Sequence, residues 1–240
     1  MRFKIMSKYW YVRNTLYIVI YAFIALFLYD FVAHHPIRNP TTLFSPLDYH
    51  IPFVSLFALF YVFVFYPFFI FTFGYFMYVK PERSNQFFIS LLIIYAVSYA
   101  IYVVFPVMMI RPDPSELPKD FLGQVMARYY EVDPPLNCFP SLHAALSTIT
   151  AYYLSKEKPR FEPAFWGIAF MVMLSTLFVR QHVIVDEIAG FLLAIGAGIV
   201  SQKYVPPEQI PPHNMNLRIW FTVILATIIT ILSISKFLPL

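Results

Sequence analysis

Seven apolar runs, each near the length a helix needs to cross a bilayer, govern what this chain can fold into. They fall near residues 15–33, 52–79, 86–110, 139–155, 163–181, 184–201 and 217–237. About 20 residues, with a range of roughly 17 to 25, carry a helix across a hydrocarbon core. No water is available there, so every backbone N–H and C=O must be paired within a helix or a closed barrel. Strand-period alternation is missing, Gly is scarce at 6, and Phe and Tyr reach 27 and 18, which selects helices with aromatic residues at the interface. Only 12% of residues are charged against 60% hydrophobic, an apolar excess too large to hide in one soluble core. The expected fold is all-α, a polytopic membrane helix bundle with a six-helix core and a seventh, C-terminal helix.

Between the sixth and seventh runs lies Val205-Pro206-Pro207-Glu208-Gln209-Ile210-Pro211-Pro212, too rich in proline to continue a helix. The expected organisation is one membrane-embedded domain over 1–204, a Pro-rich linker over 205–216 and a transmembrane helix over 217–240. With the N-terminus cytoplasmic, eleven of the seventeen Lys and Arg fall in the inside set: Arg2, Lys4, Lys8, Arg13, Lys80, Arg83, Lys156, Lys158, Arg160, Lys203 and Arg218. The outside set is Arg38, Arg111, Lys119, Arg128, Arg180 and Lys236. That bias favours N-inside and places the 34–51 loop, the 111–138 loop and the 180–186 turn together on the external side. The formal net charge of +4 belongs to this loop signal and is not read as a nucleic-acid footprint. No cleavable leader is expected, because the first run is long enough to stay as a helix.

Three segments bring polar residues to the external boundary: Arg111-Pro112, Cys138-Phe139-Pro140-Ser141-Leu142-His143 and Gln181-His182-Val183-Ile184-Val185-Asp186. Ionisable groups that border a span are costly and are functional candidates by default. His182 and Asp186, four apart, are expected on one helical turn, where the carboxylate accepts from the imidazole and frees its other nitrogen to attack. Pro140 suits the first turn of a helix, with Asn137 and Ser141 available as caps, so His143 is expected beside helix-start amides that favour a phosphate. Arg111 adds a planar fork for phosphoryl oxygens. A nucleophile, an orienting carboxylate, a second histidine and oxyanion donors together match the needs of phosphoryl transfer.

These residues resemble the type 2 phosphatidic acid phosphatase and vanadium haloperoxidase superfamily, recognised by three short motifs. The first is a Lys, six residues, then Arg-Pro; Arg111-Pro112 matches, while Val104 stands at the lysine position. Pro140-Ser141-Leu142-His143 matches Pro-Ser-Gly-His with leucine for glycine. In the third, Ser175, His182 and Asp186 match Ser-Arg, five residues, His, three residues, Asp, with Thr176 at the arginine position. The resemblance covers roughly residues 50–202, with the motifs within 102–186.

It implies that His182 becomes phosphorylated, Asp186 orients it, His143 is the general acid and Arg111 holds phosphate, with no metal and no cofactor. Ser141 and Arg180 join the expected phosphate-binding set, Arg180 as a candidate replacement cation. The implied substrate is a lipid phosphate, and the implied setting is the plasma membrane with the site facing outside and membrane lipids as its partners. Phe139-Pro140-Ser141-Leu142-His143 and Gln181-His182 look like the inositol phosphorylceramide synthase branch, so head-group transfer between lipids stands beside phosphate release to water. A non-catalytic lipid-binding or transport relative is the third reading.

Other features take plainer readings. His34, His35 and His50 have no metal-ligand spacing and are read as solvated loop histidines. Cys138 is read as a packing residue. Asp113, Glu116, Asp120, Glu131 and Asp133 are read as a solvated acidic loop. Glu187 points about 100° away from Asp186 on an ideal helix and need not join the site. Pro67 and Pro106 are read as kinks, and Gly190, Ala194 and Gly198 as a small-residue packing stripe.

Overall fold

The computed structural model describes residues 9–210 and 215–238. Residues 1–8, which carry Arg2, Lys4 and Lys8 of the orientation count, lie outside the described residues. So do 211–214, within the linker expected at 205–216, and 239–240. Among the described residues eight helices longer than a single 3-10 turn follow in order: α1 Trp10–His34, α2 Ser55–Val79, α3 Ser84–Val104, α4 Phe121–Val132, α5 Leu142–Glu157, α6 Glu162–Phe178, α7 Ile184–Tyr204 and α8 Met215–Ser235. No strand forms among the described residues. Five helical stretches, α1, α2, Pro81–Val104, Pro159–Phe178 and α7, are long and apolar enough to cross a membrane, and Thr222–Ser235 is a shorter apolar stretch within α8. The chain is a polytopic helical membrane protein.

Helix α5 is the hub, packed by α6 and α7 and, more lightly, by α2 and α3. Its buried hydroxyls bond back to the preceding turn, as with Ser147 Oγ to the His143 carbonyl and Thr150 Oγ1 to the Leu146 carbonyl, both 2.7 Å. A short polar helix is thereby sheltered by protein instead of facing lipid. The small-residue stripe of α7 lets it approach. A Cβ on Gly190 would fall 2.3 Å from the Ser141 carbonyl oxygen, and one on Gly198 would meet the Tyr152 ring at 2.7 Å.

Three expectations change. The third run was expected to reach residue 110, but α3 stops at Val104 because Pro106 supplies no N–H and restricts the residue before it. Pro106 therefore ends a helix and does not kink one. Pro67 does lie inside α2, directly after a widened π-helical stretch at Leu59–Val64, the kind of turn that relieves the crowding around an internal proline. Within the 111–138 segment, read as loop, stands α4, capped by Asp120 accepting from the Gly123 amide at 2.8 Å and burying Val125, Met126, Tyr129 and Tyr130.

The three polar segments do meet at one end of the bundle. Thr41 pairs with Val107 in an isolated bridge, Arg180 donates to the carbonyls of Asp48 and Ile51, and Arg111 donates to Gln181. At the other end Arg13 pairs with Glu208, and Arg83 and Lys80 with Glu157.

Candidate active site

Helix α6 ends in a left-handed cap. Arg180 has φ 51°, the Gln181 amide reaches back to the Thr176 carbonyl at 2.8 Å, and the Arg180 amide to Leu177 at 3.1 Å, the two bonds of a Schellman motif. This turn throws Gln181 and His182 out of the helix. The next helix begins only at Ile184, so His182 and Asp186 do not share a regular helical turn as their spacing suggested. Asp186 sits in the first turn of α7 and folds back. Its Oδ2 accepts from the Val183 amide at 3.0 Å and lies 3.4 Å from Nδ1 of His182. The pairing is the expected one, reached through a helix start. Burial alone would lower the His182 pKa, but the Asp186 bond and the charges of Glu187 and Asp186 outweigh it and hold the imidazole above its ordinary value.

Ser141 is the N-cap of α5, its Oγ accepting from the Ala144 amide at 3.2 Å, so Pro140 precedes the helix and is not in its first turn. Asn137 is no cap: its Nδ2 donates to the Tyr29 carbonyl. The Ser141 amide donates to the Asp186 carbonyl at 3.0 Å, which ties the two helix starts together. His143, on the first turn, is clasped by Tyr61 and Phe65 at 4.6 and 4.7 Å between ring centroids, and its ring stands 5.7 Å from that of His182. His143, His182, Asp186 and Ser141 are thus together.

Arg111 lies beside them. Its Nη1 donates to the Asp133 carbonyl at 2.6 Å, its Nη2 to Asp133 Oδ2 at 2.9 Å and to Gln181, and it covers the Tyr130 ring. Among the described residues its buried Nε has no hydrogen-bond partner, and neither has Nε2 of Gln181. Two buried donors left open at one place are what an oxyanion would satisfy. Arg180 is directed elsewhere, its Nη1 bound to the Asp48 and Ile51 carbonyls and its guanidinium over Phe44.

Asp113, Glu116, Asp120 and Glu131 are exposed, as the acidic-loop reading expects, whereas Asp133, Glu187 and Asp48 take positions that their sequence context does not predict. Asp133 is not part of a solvated loop: burial raises its pKa even though Arg111 pulls the other way, and its carboxylate anchors that arginine. Asp120 caps α4. Glu187 is 4% exposed and lies beside Ser141 and Thr176, and among the described residues neither of its oxygens is in hydrogen-bonding geometry. Asp48, also buried, accepts from the Ile184 amide at 2.9 Å and so holds the start of α7. Sequence spacing gives no signal for Asp48 or Glu187, whereas the rhythm of Val125, Met126, Tyr129 and Tyr130 after Asp120 would have found α4.

Cys138 is buried, and burial pushes its thiol well up, in line with a packing role. His34, His35 and His50 each bond a carbonyl four residues back, and among the described residues no group of three His, Cys, Asp or Glu is arranged to hold a metal ion.

A cavity of about 290 Å³ opens onto this constellation. His143, His182 and Asp133 form part of its polar end, and most of the remaining lining is apolar side chains of α1, α2 and α8, with Tyr95, Tyr129, Leu142 and Leu146 from α3, α4 and α5.

Residues 87–210 match the PAP2 superfamily. The inositol phosphorylceramide synthase catalytic subunit aur1 of Schizosaccharomyces pombe is 34% identical over 70 residues, which covers 29% of this chain and 17% of that protein. No solved structure matches.

Proposed function

The chain belongs to the PAP2 superfamily, and from that premise we propose that it is an integral membrane lipid phosphate phosphatase or phosphotransferase working through a covalent phosphohistidine. The observation that carries the reading is the pair of histidine rings 5.7 Å apart at the polar end of an apolar cavity, with Asp186 on Nδ1 of His182.

In the first step Nε2 of His182 attacks phosphorus, and the bond from phosphorus to the lipid oxygen breaks. His143 gives its proton to the departing oxygen, while Asp186 stabilises the charge that develops on His182. Arg111 Nε and Gln181 Nε2 supply donors to the phosphoryl oxygens. In the second step water or a lipid alcohol loses a proton to His143 and attacks phosphorus, which releases His182. No metal enters either step. The likeness to a synthase subunit supports transfer to a lipid alcohol as the second reading. The positive-charge bias supports a site on the external side of the membrane.

Phosphatidic acid labelled in its phosphate, mixed with purified protein and quenched in base, should leave an acid-labile label on His182 and none in His182→Ala. Mass spectrometry of products with and without added lipid alcohol then identifies the acceptor. No label from any lipid phosphate in a panel would overturn the reading in favour of a lipid-binding relative.

A further inference from the structure

The phosphate pocket that the family's motifs describe is short of cations here. Val104 and Thr176 stand where the motifs have lysine and arginine, one exposed at the end of α3 and the other fully buried. Both Nη atoms of Arg111 are engaged by Asp133 and by neighbouring carbonyl and amide oxygens, and Arg180 is bound to loop carbonyls. A phosphoryl group carrying up to two negative charges needs more than the open Nε of one arginine.

The missing charge sits at the far end of the chain. Lys236, one residue past α8, lines the same cavity as His143, His182 and Asp133. Its position is held by the next residue. Phe237 is 1% exposed, stacked on Tyr129 at 4.3 Å and against Tyr66 at 6.0 Å, and Tyr66 and Tyr129 are themselves cavity walls. The Lys236 ammonium lies 4.6 Å from the Phe237 ring and within electrostatic reach of Asp133, and among the described residues it has no hydrogen bond or close ion pair that would hold it back from a ligand.

Below this polar end the cavity follows the helices inward. It runs from Tyr29 to Ile18 on α1 and from Lys236 to Thr222 on α8. At about 1.5 Å per residue these stretches are roughly 16 and 21 Å long, over half the depth of a hydrocarbon core. The walls there include Tyr21, Phe69, Phe73, Leu225 and Ile229. A charged cap on an apolar slot of that length complements a phosphate on a long hydrocarbon chain.

We propose that Lys236 is a phosphate-binding residue and that the slot between α1, α2 and α8 takes the hydrocarbon tail of the same lipid phosphate. This rests on the functional reading above. It assigns part of the binding site to α8, outside the segment that matches the superfamily.

The test uses full-length protein in nanodiscs, with Lys236→Gln and Lys236→Arg compared on a lipid phosphate that the unsubstituted protein turns over. Lys236→Gln should raise KM and the inhibition constant for orthovanadate by about tenfold each, with kcat changed much less, and Lys236→Arg should restore both to within about threefold. An unchanged KM and unchanged vanadate inhibition in Lys236→Gln would overturn the assignment. So would an arginine variant as impaired as the glutamine one, because the charge would then be irrelevant. If the unsubstituted protein turns over no lipid phosphate, the functional reading fails separately. Thermal stabilisation by orthovanadate then decides the role of Lys236: its loss in Lys236→Gln supports the assignment, and its retention ends it.

Discussion

Asp186 supports His182 in two ways, through the hydrogen bond to Nδ1 and through its charge, and both favour the protonated imidazole. A protonated imidazole cannot attack phosphorus. The raised pKa therefore places the acid limb of kcat/KM above pH 6.5, with rate lost as pH falls through it. Asp186→Asn removes the charge, so the limb should move to lower pH while the plateau drops by about 10²–10⁴. A pH profile of both proteins checks this, and an acid limb that stays in place in the variant would refute it. Asp133 has a different task. It fixes the Arg111 fork, so Asp133→Ala should weaken phosphate binding, read as a higher KM, without moving that limb. Leaving a buried guanidinium unpaired should also cost about 3 kcal/mol of stability in a denaturant titration. His143 and His182 were legible in the sequence because each sits in a short motif; Asp133 was not, because its meaning depends on a guanidinium 22 residues away.

At the scale of elements, the site is the meeting of two helix starts and one helix end. Ser141 begins α5, Asp186 lies in the first turn of α7, and the Schellman turn of α6 delivers His182 between them. Gly190 keeps α5 and α7 in contact. A Cβ there would lie 2.3 Å from the Ser141 carbonyl, so Gly190→Ala must push the His143 helix start aside. The expected cost is about 1–3 kcal/mol together with a lower kcat. Gly196 on the same helix has nothing within 4 Å of such a Cβ, so Gly196→Ala should be neutral or stabilising by up to about 1 kcal/mol. Melting temperatures of the two variants test the contrast. The small-residue spacing on α7 was readable as a packing stripe, but its partner, the Ser141 carbonyl, was not.

Across the whole molecule, α8 closes the cavity that α1 and α2 begin. It packs chiefly on α2, where Thr222 lies against Gly74, and Ala226 is buried facing the slot. Ala226→Phe should fill the slot and reduce kcat/KM for long-chain lipid phosphates more than for short-chain ones. An equal loss for both lengths would mean that the tail lies elsewhere. Activity in chelator should match activity without it, since neither proposed step uses a metal; a loss reversed by added divalent cation would contradict that. From the sequence alone came the membrane bundle, the seven runs and the histidine motifs, because apolar length, helical period and short-range spacing are local properties that survive without a partner. The tertiary structure decided what surrounds them: Asp133 against Arg111, Asp48 under the start of α7, Glu187 buried near His182, and Lys236 lining the same cavity as the two histidines. Those groups are brought together by helix packing across as many as 136 residues of chain, and no pattern within a single segment encodes which loop end will face which helix.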